Sequence, residues 1–276
     1  MNQNHYGVKE ISLSEEELAQ FYQSQIIDNL KLYTNEYLLI KHKDNIIDKY
    51  RYDGETFQKV KPIKFKNTRV LKPLDDIQMC AYDALFNKDI KVVCLIGKSG
   101  TGKTRTSISV GLELLKQGVY DKIILVRHAE ESGKSIGFLK GDKDTKMLDG
   151  WAGCFYDNLD GNKYEFEDFM KKEMVQIESL SLLKGRNYKN SFLIFDESED
   201  AFPEQIELVG TRINDDCKLV YVGDTEQVSN IKYKKNSGLL KLLNKAKGKE
   251  WFAGIELQTN ARGTVAEFFS TEFKED

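Results

Sequence analysis

The sequence predicts an α/β fold: a parallel sheet flanked by helices, preceded by a smaller unit made of one helix and antiparallel strands. Three observations carry the prediction. A glycine-rich loop stands between a short apolar run and a helical pattern; helical and extended patterns alternate from about residue 74; and the first 70 residues carry hairpin chemistry instead. At 276 residues and a formal net charge of −3, the chain has room for one large α/β unit with an accessory piece and exerts no global pull on nucleic acid. Cys80, Cys94, Cys154 and Cys217 lack paired spacing and a neighbouring histidine, so reduced thiols are expected rather than a zinc site. The polar start of the chain has no apolar signal core and no run approaches a membrane span, so a cytoplasmic protein without membrane attachment is expected.

Ser14-Glu15-Glu16-Glu17 reads as a capping box opening a short helix, with Leu18, Phe21 and Tyr22 as its apolar face. Residues 37–41, 46–52 and 56–60 are rich in branched and aromatic side chains and read as strands, with Asp53-Gly54 turning the last two into a hairpin. Lys59, Lys61, Lys64, Lys66 and Arg69 then arrive with Pro62 and Pro73. This basic connector, a solvated linker or a nucleic-acid contact, is taken as the boundary between a small α+β unit (1–70) and the main domain (71–276).

The main domain opens with a helix over 76–86. Its Gln78 suits a bidentate pair with the adenine edge, and a glutamine exposed on the helix without a role fits equally. Residues 91–96 read as a strand covered on both faces. Gly97-Lys98-Ser99-Gly100-Thr101-Gly102-Lys103-Thr104 follows as a complete phosphate-binding loop. Its glycines clear space for backbone N–H groups to cradle a triphosphate, Lys103 would reach the β and γ phosphates, and the Thr104 hydroxyl would ligate Mg²⁺. Ile108, Leu112 and Leu115 put one apolar stripe on the next helix, which ends near Gly118.

Residues 122–127 form the next strand, delivering Arg127 and His128 to the edge where ligands bind in open α/β sheets. Gly133-Lys134-Ser135 resembles the end of a second phosphate loop, but His128 occupies the place of its first glycine, which excludes a second nucleotide site. The apolar run 191–195 brings Asp196 and Glu197 to the same edge. Adjacent strand residues point to opposite sides, so the two acids divide the work: Asp196 holds the metal's water shell and Glu197 orients the attacking water. Pro203 starts a helix running to Ile213, and a strand over 217–222 ends in Gly223-Asp224-Thr225-Glu226-Gln227, where Asp224 and Gln227 are placed to touch the γ-phosphate. The lysines between 232 and 249 suit either the phosphates of a nucleic-acid strand or a solvated helix face. A last strand over 251–258 leads to Arg262, suited to an arginine finger within the chain or toward a neighbour, and to an apolar closing helix with Val265, Phe268 and Phe269.

From about Leu74 onward these elements resemble the PhoH family, ATPases related to superfamily-one helicases. Beside the loop, the resemblance rests on Arg127-His128-Ala129 through Gly133 to Gly141, Lys184-Gly185-Arg186, Asp196-Glu197-Ser198-Glu199, Thr211-Arg212-Ile213, Gly223 to Gln227 and Ser237-Gly238-Leu239. Lys134, Lys140, Glu199 and residues 260–263 depart from the family pattern, which has glutamine at the place of Glu199. The resemblance implies a RecA-like P-loop NTPase fold, ATP and Mg²⁺ as cofactors, and a nucleotide contact from Arg212. It further implies single-stranded RNA or DNA as partner, unwinding, and a homo-oligomeric, often hexameric, ring. Residues 12–70 look like the region that joins a PIN-type nuclease domain to the ATPase in longer relatives; no PIN domain is among these residues, so nuclease activity is not expected. The expected function is Mg²⁺-dependent ATP hydrolysis coupled to nucleic acid. The alternatives are an ATP-dependent switch or scaffold acting on a protein partner, and a small-molecule kinase.

Overall fold

The computed structural model describes residues 4–43, 45–65, 71–127, 152–153, 155–156, 158–159, 162–225, 237–259 and 263. The small unit contains β1 (Asn4–His5), β2 (Val8–Ser12), α1 (Glu15–Ser24), β3 (Tyr37–His42), β4 (Asn45–Tyr52) and β5 (Phe57–Lys59), paired in that strand order. β3, β4 and β5 are antiparallel as expected, but β2 runs parallel to β3, so the sheet is mixed. The capping box is formed: Ser14 Oγ accepts from Glu17 N at 3.3 Å and Glu17 Oε2 accepts from Ser14 N at 2.8 Å.

The large unit contains α2 (Asp76–Phe86), β6 (Val92–Ile96), α3 (Lys103–Lys116), β7 (Lys122–Arg127), α4 (Lys163–Lys171), β8 (Val175–Ser179), β9 (Ser191–Phe195), α5 (Pro203–Gly210), β10 (Lys218–Gly223), α6 (Gly238–Ala246) and β11 (Phe252–Glu256). Its sheet runs β11-β6-β10-β9-β7-β8, with every pairing parallel. This is the P-loop NTPase arrangement with one strand, β10, between the strand that feeds the glycine loop and the strand that feeds the acids.

Strand alternation sorts the core into two layers. Val93, Leu95, Ile123, Leu125, Phe192, Ile194, Val220 and Val222 pack toward α2, α3 and α4. Cys94, Ile96, Ile124, Val126, Leu193, Phe195, Leu219 and Tyr221 pack toward α5 and α6. α3 carries more than the expected single stripe: every residue from Thr106 to Leu115 is buried. The sheet covers one side, and Ser109 Oγ accepts from Leu71 N at 2.9 Å on another.

The small sheet divides in the same way. Leu38 and Ile40 turn to α1 and its Phe21, while Tyr37 and Leu39 join the core that contains α2. α2 is therefore enclosed between two sheets, which suits a segment as apolar as Ile77-Gln78-Met79-Cys80-Ala81. Polar bonds accompany this contact: Tyr37 Oη donates to Asp83 Oδ2 at 2.9 Å, Arg51 Nε to the same oxygen at 3.2 Å, and Lys49 Nζ to Asp76 Oδ1 at 2.6 Å. At the sheet edge, Glu256 N donates to Tyr6 O at 3.0 Å while Tyr6 N donates to Glu256 Oε2 at 3.1 Å, so the start of the chain covers β11. No helix among the described residues is long and apolar enough to cross a membrane.

Candidate nucleotide site

The loop between β6 and α3 is closed on itself by its own side chains. Lys103 Nζ donates to Gly97 O at 2.6 Å and Lys98 O at 2.9 Å, and Thr101 Oγ1 donates to Lys98 O at 2.9 Å. Gly97 has φ 138°, and a Cβ there would lie 2.3 Å from the Leu257 carbonyl oxygen, so only glycine lets the two backbones meet. Gly102, at φ 82°, turns the chain into α3 without a side-chain cap, leaving the first N–H groups of the helix for an anion.

The acid segment meets this loop directly. Thr104 Oγ1 donates to Asp196 Oδ1 at 2.7 Å across 92 residues of sequence. Arg127, at the end of β7, grips Oδ2 of the same carboxylate through Nε at 3.1 Å and through Nη2. Asp196 is buried and is held in place by its own N–H, which donates to Val126 O at 3.0 Å. A hydroxyl and a carboxylate side by side are hard oxygen donors, a set that suits Mg²⁺ completed by phosphate and water.

The two acids do diverge, but not by strand alternation. β9 ends at Phe195, and Glu197 has φ 56°, so a left-handed turn aims Asp196 inward and leaves Glu197 exposed at the mouth. The turn Ser198–Asp200 then packs back on β10, Ser198 Oγ donating to Val222 O at 2.9 Å.

Asp224 is buried just past the end of β10, the strand paired with the loop strand β6. Ser99 is exposed and Gly100 half-buried at the loop tip. Gln78 is at the start of α2, on the same edge as the loop. The reading of an exposed glutamine without a role is corrected: Gln78 is buried and its Oε1 accepts from Leu74 N at 2.8 Å, which fixes its carboxamide. Arg212 is not brought to the loop. It follows α5 and precedes β10, at the opposite edge of the sheet, with Nε donating to Leu208 O at 3.3 Å and Nη2 to Thr211 Oγ1 at 3.3 Å. The helix that was expected to run to Ile213 stops at Gly210, and Tyr188 N donates to Arg212 O at 2.7 Å instead. Gln227, Arg262, His128, the segment from Glu130 to Gly141 and the closing helix are outside the described residues.

A family model described as PhoH-like protein matches residues 70–267. The chain belongs to the PhoH family. Protein PhoH2 of Bacillus subtilis is 28% identical over 95% of this chain and 62% of that protein. A PhoH-like protein of Synechocystis is 34% identical over 54% of this chain and 45% of that protein. The chain thus spans roughly half to three fifths of the length of these curated relatives. Among solved structures, the Pyrococcus furiosus Hef helicase domain aligns with 67% of this chain and 39% of that one, with 15% identity and a TM-score of 0.38.

Within this PhoH-family site, sequence reasoning left one residue without a role. Glu199 stands behind the acid pair, its carboxyl pushed up to about 7 chiefly by burial, with the Asp196 charge adding and Lys103 and the backbone N–H groups of Glu199 and Asp224 opposing. The signal was present as a departure from the family pattern, but its meaning depended on what β10 places beside it.

Proposed function

We propose that this PhoH-family chain is a Mg²⁺-dependent ATP hydrolase whose turnover is coupled to single-stranded RNA or DNA. The observation that supports it most is the 2.7 Å bond from Thr104 to Asp196, which joins the phosphate loop to the acid strand at one point. In this reading Gly97, Ser99, Gly100, Thr101 and Gly102 cradle the phosphates and Lys103 leaves its carbonyls to bind the β and γ phosphates. Thr104 and Asp196 hold Mg²⁺, which neutralises phosphate charge when bound. Glu197, exposed at the mouth, orients the attacking water, and Arg127 fixes the Asp196 carboxylate. Gln78 reads the base, Asp224 and Gln227 contact the γ-phosphate, and Arg262 serves as the arginine finger. The homo-oligomeric, hexameric ring rests on the family resemblance, and in it Arg212 contributes only if a neighbouring subunit presents it; the proposed location is the cytoplasm. Residues 1–70 form the accessory unit and 71–276 the ATPase domain.

Phosphate release with Mg²⁺ tests the reading. Lys103→Ala and Glu197→Gln should each slow it at least about 100-fold, and a wild-type rate in either variant removes the assignment. Adding single-stranded RNA or DNA should raise the rate, with affinity falling as salt rises. Indifference to both would instead fit a nucleotide-governed switch acting on a protein partner.

A further inference from the structure

Behind the acid pair, one carboxyl group sits where an ion is costly. Glu199 Oε2 is buried and makes no hydrogen bond, and it rests against the backbone of β10: a Cβ placed on Gly223 would lie 2.8 Å from that oxygen, 3.0 Å from Glu199 N and 2.7 Å from Leu239 Cδ2. Glycine at 223 leaves room for this approach, which brings the turn after β9 into contact with the end of β10. The charges acting on Glu199 are Lys103 from the loop and Asp196 from the end of β9; Asp224, at the end of β10, contributes its backbone N–H, and α6 contributes apolar Leu239. Burial, one oxygen without a donor and the Asp196 charge favour the neutral carboxyl and outweigh Lys103 and the two backbone N–H groups, which favour the ion.

We propose that Glu199 is a positioning residue for the reaction and acts as the neutral acid, holding the acid-pair turn against the end of β10. This deepens the hydrolase reading and rests on it. When Glu199 loses its proton, an anion is created in a buried space beside Asp196. The close approach at Gly223 is then disfavoured, and Glu197 and Asp224 lose their common register over the γ-phosphate. Its burial, which raises the pKa to about 7, places that change within ordinary working conditions.

The test compares wild type, Glu199→Gln and Glu199→Ala. For wild type, kcat should fall roughly tenfold from pH 6 to pH 8, as for an acid titrating near 7, while KM for ATP changes little. Glu199→Gln, neutral at every pH, should remain active and lose the fall; Glu199→Ala should be slow throughout. Thermal melting supplies a readout independent of hydrolysis. Because the folded pKa is raised above the ordinary glutamate value, Glu199 favours the folded state less and less as pH rises from about 4.5 to about 7. Glu199→Gln should therefore melt higher than wild type at pH 8 and show a smaller decline across that window. A level wild-type kcat profile in an active enzyme, a Glu199→Gln variant that keeps the fall, or identical melting profiles overturns the role of Glu199 and leaves the hydrolase reading standing. Absence of phosphate release from wild type at every pH overturns both.

Discussion

Two backbones meet at Gly97 more closely than any side chain permits. Its φ of 138° and the 2.3 Å that would separate a Cβ from Leu257 O put the strain of a substitution on main-chain atoms, which cannot swing aside. Gly97→Ala should therefore cost about 2 kcal/mol or more, read as a lowered urea midpoint, and should weaken nucleotide binding at the same time. Leu257 is pinned from the other side, its N–H donating to Ile96 O at 2.8 Å, so the shift must be taken up by the loop. The loop glycines, Lys103, Thr104 and the two acids were legible in the sequence because their chemistry is local and their spacing is strict. Glu199 and Arg212 were not. The meaning of Glu199 comes from a strand contributed 24 residues later, as in the bond from Ser198 to Val222. The placement of Arg212 follows from a helix that stops early.

Among elements, α2 is held at both ends. Asp75 caps its start, accepting from Gln78 N at 2.6 Å, and Lys218 reaches across from the beginning of β10 to close its end. The buried ammonium donates to Ala84 O at 3.0 Å, to Asn87 O at 2.6 Å and to Ile90 O. Lys218→Met keeps the stem but leaves these carbonyls without that donor, so it should cost about 2–4 kcal/mol, measured by denaturant unfolding. Most strands and helices of the large unit were readable from apolar runs and caps, with α2 and β7 matching their expected bounds. β8 was not, because Val175–Ser179 is a five-residue edge strand whose alternation is too short to stand out from a loop. Its Glu178 is buried only because Tyr188 Oη donates to it at 2.8 Å and Arg186 pairs with it at 3.2 Å. β1 and β2 were missed for a related reason: they are short, and their place is set by partners far along the chain.

At the scale of the whole molecule, the two sheets share a core. Val8, Tyr37, Leu39 and Val60 belong to the same apolar cluster as Ile77, Ala81, Val93 and Leu125. Unfolding should therefore be a single cooperative transition, with far-ultraviolet and aromatic circular dichroism tracing one curve; two separated transitions would show that the small unit stands alone. Asp83→Ala, which removes the acceptor shared by Tyr37 and Arg51, should move that curve down without splitting it. The bonds between Tyr6 and Glu256 add a consequence in time. They join positions 250 residues apart, so during synthesis the first strands emerge long before the strand they cover exists. The contact of Tyr6 cannot form until Glu256 has been made, so it belongs to the later steps of folding.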